Sequence, residues 1–167
     1  METWDAIRSR RNVRTYTDEP IDEEDLARIL EAARLTPSSS NSQPWDFVVC
    51  TNRDQLEKLS QVWKGASHVA RSAATIALVA PRSNQESAQY DLGQATMSIM
   101  LEAADLGIGS GHAFVSDHDL AAVILNIPED HICLWLVALG YPADRPLTPI
   151  AKPARRPFEE VVHRDRW

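Results

Sequence analysis

The sequence predicts an α+β fold, a central sheet packed against helices, and three observations carry that expectation. ATIALVA (74–80) and ICLWLVALG (132–140) are short, continuous apolar runs bounded by turn-forming residues, the pattern of buried strands. From Asp91 to Leu106 the residues Leu92, Ala95, Ile99, Ala103 and Leu106 step by three or four, with Met100 beside them, which describes a long central helix. Strand and helix signals do not alternate in a sustained rhythm, which argues against a doubly wound parallel sheet. A chain of 167 residues fits one domain, and at this size about 70% of the unfolded surface is hidden on folding, enough for a real core.

Thr3 is placed to cap a first short helix that carries Trp4 and Ile7 on one face and delivers a group of arginines at its end. In PIDEED, Asp22 stands at a cap position ahead of acidic residues that suit the positive end of a helix dipole. Leu26, Ile29, Leu30 and Ala33 then recur at helical spacing until Pro37 stops the helix. DFVVC (46–50) reads as a strand, RDQLEKLSQVW (53–63) as a helix facing inward through Leu56, Leu59 and Trp63, and GIGSG (107–111) as the end of the long helix. A short capped helix spans 117–125 ahead of the last strand. From Pro142 to Pro157 the chain is too proline-rich for a regular element, while Phe158, Val161, Val162 and Trp167 favour burial. The tail is therefore expected to wrap something, a partner subunit among the choices.

Composition narrows the function. Against 24 Asp and Glu stand 17 Lys and Arg, a net charge of -7 that disfavours a nucleic-acid or anionic-membrane binder. Cys50 and Cys133 sit inside apolar runs, as small core residues of a reduced protein do, and no metal-ligand spacing is present. METWDAIRSRR lacks the apolar stretch of a signal peptide and no run has the length of a membrane helix, so a cytoplasmic protein is expected.

Two segments carry candidate chemistry. SRRNVRTY (9–16) belongs to a stretch in which Arg8, Arg10, Arg11 and Arg14 face only two acids in the first 14 residues. Guanidinium forks suit bidentate phosphate recognition, and a solvated helix end complementing its carbonyl dipoles explains the same charges. TPSSSNSQPWDF (36–47) can aim hydroxyls, amides and backbone groups at a planar polar ligand; a helix stop with local Ser and Asn backbone bonds explains it as well. GIGSG lacks the dinucleotide-binding spacing, His68 and His112 remain minor candidates, and no nucleophile–base arrangement can be argued.

Taken together and in order, these segments resemble one known family. IRSRRNVRTY, the PSSSNSQPWDFVV run, the GIG turn after the long helix, LVALGYPADRP and RRPFEEVV are similar to the corresponding stretches of flavin-dependent nitroreductases, over nearly the whole chain. The resemblance implies a mixed central sheet flanked by helices and a homodimer with two shared FMN sites, with tails (145–167) exchanged between subunits. It implies that Arg10, Arg11, Asn12 and Arg14 meet the phosphate and ribityl chain of FMN, Asn12 standing where serine is usual. Pro37, Ser38, Ser39, Asn41 and Gln43 would approach the flavin of the other subunit, and Arg155, with Arg156 beside it, would add a phosphate contact.

The implied activity is ping-pong hydride transfer from NADH or NADPH, through FMN, to a nitroaromatic, quinone or similar flat acceptor, with no catalytic acid or base from the protein. Relatives that bind a deazaflavin or consume reduced flavin are an alternative on the same fold, as is a flavin store or sensor. Only PRSNQESAQY (81–90) lies between the strand and the long helix, which predicts an open pocket with little discrimination among flat acceptors.

Overall fold

Along residues 1–167, all described by the computed structural model, the elements run α1 (Thr3–Ser9), α2 (Glu23–Arg34), β1 (Asp46–Cys50), α3 (Arg53–Leu59), β2 (Ala74–Pro81), α4 (Gln85–Asp105), β3 (Gly109–Phe114), α5 (His118–Leu125) and β4 (His131–Gly140). The strands form one sheet in the order β1-β2-β4-β3. The expected mixed sheet is antiparallel in all three strand pairings; its one parallel contribution is an isolated bridge between Asn12 and Ser110.

The central strands β2 and β4 read as unbroken apolar runs because both their faces are covered. Ile76, Leu78, Val137 and Leu139 point into a cluster with Ile29 and Ala33 of α2 and Leu92, Ala95, Ile99 and Ala103 of α4. Ala77, Val79, Leu136 and Ala138 point the other way, onto Leu56 and Leu59 of α3 and Ala121 of α5. The α2–α4 pair thus forms one outer layer and α3 with α5 the other. A register shift between Leu78 and Val79 leaves Leu134 unpaired, and Leu134 and Trp135 both join the α4 side.

Several boundaries differ from the sequence expectation. Glu2, not Thr3, occupies the cap position of α1, and its side chain makes no capping bond. The helix expected over 53–63 ends at Leu59, with Asn52 Oδ1 capping its start by accepting from the Gln55 amide at 3.1 Å. Its last turn gives way to bends, yet Val62 and Ala66 remain buried. α4 begins at Gln85, so most of PRSNQESAQY belongs to its opening turns and the preceding 3₁₀ turn instead of a loop.

GIGSG does more than end a helix. Gly107 takes the left-handed conformation (φ 76°) that closes α4, but Gly109 then opens a fourth strand absent from the sequence reading. A Cβ on Gly111 would run into the Val13 carbonyl oxygen and lie 3.1 Å from Tyr16 Oη, so glycine here admits the 10–16 segment against β3. The tail beyond Ile150 makes a single short turn at Phe158–Glu160, and every residue from 151 to 167 is exposed, Trp167 at 99%. No helix is long and apolar enough to cross a membrane.

Candidate functional site

The chain leaves α1 at Arg10 in an extended conformation and runs along β3. The Val13 amide donates to Ser110 O at 2.8 Å, Thr17 N donates to Tyr141 O at 2.9 Å, and the buried Tyr16 hydroxyl donates to Val13 O at 2.7 Å. Val13 packs inward, and Arg10, Asn12 and Arg14 alternate with it along this added edge segment.

The arginines divide into two groups. Arg8 donates to Ile150 O through Nη2 at 3.2 Å, Ile150 N returns a bond to Arg8 O at 3.2 Å, and Arg11 donates to Ser9 O and Thr148 O. Those two side chains hold residues 148–150 of the tail against α1. Arg10, Arg14 and Arg155 form no ion pair; Arg155 donates only to the neighbouring Ala154 carbonyl, at 2.8 Å. Burial pushes the Arg10 guanidinium below its usual pKa, and the positive charge of Arg155 pushes it further. Two cations close enough to repel, one half-buried and one exposed, neither with a carboxylate, are the arrangement that an anion relieves.

Arg10 lines two cavities. One, of 420 Å³, lies between Trp4, Ile7, Arg10, Ile150, Pro153 and Arg155. The other, of 280 Å³, is bounded by Arg10, Gln89, Thr96, Met97, His112 and Trp135, with the bare backbone of Gly93 in its wall and no carboxylate. Two polar atoms have no partner: Oδ1 of Asn12, on the edge segment, and Nδ1 of His112, which lines the second cavity, are buried and unbonded. Burial, then Arg14, then Arg10 push the His112 pKa down, so its ring is neutral near neutral pH. Arg156 lies apart, bonded to Glu160 O at 2.9 Å.

The serine-rich loop is built on the same helix but on its opposite side. Ser40, Asn41 and Gln43 hold left-handed conformations (φ 52°, 55° and 49°), which cost a residue with a side chain about 1–2 kcal/mol apiece, less for Asn. Ser38 Oγ accepts from Gln43 N at 2.8 Å, and the buried Asp91 carboxylate accepts from Ser39 N. Thr36 donates to Ser98 Oγ at 2.8 Å. At 100° per residue, Asp91 and Ser98 face away from Gln89, Gly93 and Thr96. Within one chain, Pro37, Ser38, Ser39, Asn41 and Gln43 therefore do not meet Arg10, Asn12, Arg14 and Arg155.

A profile of the nitroreductase family matches residues 7–66, the span holding the arginines and this loop. A protein of Archaeoglobus fulgidus described as a candidate NADH dehydrogenase/NAD(P)H nitroreductase is 34% identical over 99% of this chain and 99% of its own. The chain belongs to the nitroreductase family. An FMN reductase [NAD(P)H] of Bacillus subtilis is 27% identical over 99% of this chain and 74% of its own length. Among solved structures, a candidate NADH oxidase of Clostridium acetobutylicum superimposes with a TM-score of 0.88 at 26% identity, covering 98% of this chain and all of that one. The nitroreductase fold and oxidoreductase class are thereby shown for this chain.

Sequence reasoning missed Asp91, the α4 wall of the second cavity, and Trp135. A signal for the wall existed: Gln89, Gly93 and Thr96 interrupt the apolar pattern of α4 at spacings of three and four, a polar stripe on a helix otherwise committed to the core. Gln85 opens α4 six residues before Asp91, so this acid lies inside the helix and not at its start.

Proposed function

We propose that this nitroreductase-family chain is an FMN-dependent oxidoreductase that uses NADH or NADPH to reduce nitroaromatics, quinones or similar flat acceptors in a ping-pong cycle. The observation that carries the reading is the uncompensated Arg10–Arg155 pair, with the orphaned Asn12 amide oxygen two residues along the same extended segment. A flavin phosphate carries nearly two negative charges, so a site with several unpaired guanidiniums fits it; a ribityl hydroxyl fits the lone acceptor on Asn12.

Arg10 and Arg155 would bind the phosphate, Arg14 would add charge from the edge segment, and Arg11, with its Nη2 on Thr148 O, would keep the tail where Arg155 can reach. Met97, Met100 and Trp135 would exclude water from one side of the ring. Bound FMN supplies the redox chemistry, a ring that accepts a hydride from a nicotinamide and delivers it to an acceptor. The protein's share is orientation, water exclusion and hydrogen bonds that tune the ring, and the two substrates would occupy one cleft in turn.

The working unit is a homodimer in this reading. Residues 1–167 act as one FMN-binding domain, the 145–167 tail crosses its own α1 through Thr148 and Ile150 before its exposed end packs on the partner, and Pro37, Ser38, Ser39, Asn41 and Gln43 reach the partner's flavin. Three features support it: the loop faces away from its own arginines, Tyr90 and Met97 are exposed on α4, and Phe158 and Trp167 project from the tail without cover. Purified protein tests the proposal. It is expected to be yellow, to release FMN on denaturation, to bleach within seconds on anaerobic mixing with NADH or NADPH, and to elute as a dimer. A colourless protein that takes up no FMN sinks the reading; one that holds FMN but bleaches slowly is a flavin store.

A further inference from the structure

We propose that His112 is a ligand-recognising hydrogen-bond donor, presenting a neutral Nε2–H to an acceptor atom on the heterocyclic ring of the bound flavin, in the cavity between β3 and α4. The inference rests on the FMN reading above and goes beyond it by assigning a residue and an end of the ligand to each of the two cavities that share Arg10.

The tautomer follows from burial. His112 Nδ1 is enclosed and has no partner within hydrogen-bonding distance. A neutral imidazole carries one proton, and an enclosed N–H with no acceptor is costlier than an enclosed lone pair with no donor, as the rarity of orphaned N–H groups relative to under-satisfied acceptors attests. The proton therefore belongs on Nε2, the nitrogen left to face the cavity that His112 lines. Burial and the charges of Arg14 and Arg10 oppose a second proton. Trp135 holds the ring at a 66° interplanar angle with centroids 6.1 Å apart, so the donor direction is set by packing as well as by the β3 backbone.

The two cavities divide the ligand by charge. The 420 Å³ cleft holds the second cation, Arg155, and takes the phosphate. Besides the shared Arg10, the 280 Å³ cavity offers no further cation but two thioethers, an indole, Thr96, Gln89 and the His112 donor, a surface matched to an aromatic ring with polar edges. The Nε2–H accordingly meets a ring acceptor and not the phosphate.

Nitrogen-detected NMR of histidine-labelled protein, stripped of flavin and then titrated with FMN, reads this directly. The expected result is an unprotonated Nδ1 and a protonated Nε2 for His112 between about pH 6.5 and 8, with the Nε2 resonance moving on FMN addition. A His112 ring protonated on Nδ1, or charged in that range, overturns the inference. So does an unmoved His112 resonance while others shift, which leaves the FMN reading standing; no shift anywhere in the protein overturns both.

Affinity gives a second readout, by flavin fluorescence quenching. His112→Phe, which keeps a ring but removes the donor, is expected to raise the FMN Kd about tenfold, the worth of one buried hydrogen bond, and His112→Gln to recover most of it. Riboflavin, which lacks the phosphate, is expected to show the same ratio between wild type and His112→Phe. A ratio that collapses to one with riboflavin places the contact on the phosphate and overturns the assignment.

Discussion

The buried carboxylate of Asp91 accepts the Ser39 backbone N–H through both oxygens at 3.3 Å while also accepting from Gln94 Nε2 at 3.2 Å. One α4 side chain, 3% exposed, thus anchors a loop containing three left-handed residues. Asp91→Ala leaves the Ser39 donor without its partner and is expected to cost about 1–3 kcal/mol, with a Tm drop of about 2–4 °C for each kcal/mol. Asp91→Asn keeps one acceptor and should fall between the two. Differential scanning calorimetry checks the order; an alanine variant as stable as wild type removes the anchor role.

Arg10→Ala and Arg155→Ala separate binding from folding. Each is expected to weaken FMN retention by about 1–3 kcal/mol, the range for a charged hydrogen bond. Neither side chain has a carboxylate partner, and each repels the other in the free protein. The flavin-free variants are therefore expected to unfold at urea concentrations equal to or above wild type. Equilibrium dialysis and urea titration measure the two effects on the same samples, and a variant that loses stability in step with affinity marks a structural role instead.

Much of this arrangement was legible in the sequence because its signals were local. Leu92, Ala95 and Ile99 declare α4 through spacing alone, and the continuous run over 132–140 declares β4. What escaped depends on tertiary contact. β3 is written as GSGHAF, with two glycines selected by the closeness of Val13 and not by strand propensity, so no periodicity marks it. The clustering of Arg10 with Arg155 joins residues 145 positions apart, and only the resemblance of both segments to one family brought them together before the fold did. Arg11 illustrates the converse: sequence grouped it with Arg10, whereas its guanidinium holds the carbonyls of Ser9 and Thr148.

The histidines at the site predict an acid limb. Burial lowers the folded-state pKa of both His68 and His112 beneath the ordinary 6.5. His68 Nε2 lies 3.2 Å from Gly111 O, an acceptor that demands the proton on Nε2, and burial outweighs the backbone carbonyls of Gly111 and Gly65 in opposing a second proton. The unfolded chain therefore binds more protons than the folded one in the window between the lowered values and 6.5. Stability is full above about pH 6.5 and declines as pH falls through that window, then levels once the folded-state histidines also charge. Thermal unfolding of flavin-free protein from pH 7.5 to 5 should trace the decline, and His68→Gln should flatten it; a Tm that rises on acidification contradicts the assignment.

Gly93 sets stability against function. It sits in the middle of α4, where glycine is less favourable than alanine by about 0.5–1 kcal/mol, and a Cβ placed there meets nothing within 4 Å. On folding grounds alone alanine belongs at this position. The open space into which that Cβ would project is the 280 Å³ cavity, shared with Thr96, Met97, His112 and Trp135. Gly93→Ala is accordingly expected to raise the stability of the flavin-free protein by about 0.5–1 kcal/mol, with no strain on the helix. The same methyl group narrows the cavity that the ring occupies in the proposed complex, so FMN affinity should fall while Arg10 and Arg155 remain untouched. Chemical denaturation and FMN titration together test the trade. A variant that gains stability and binds FMN as tightly as wild type would show that the ring lies elsewhere.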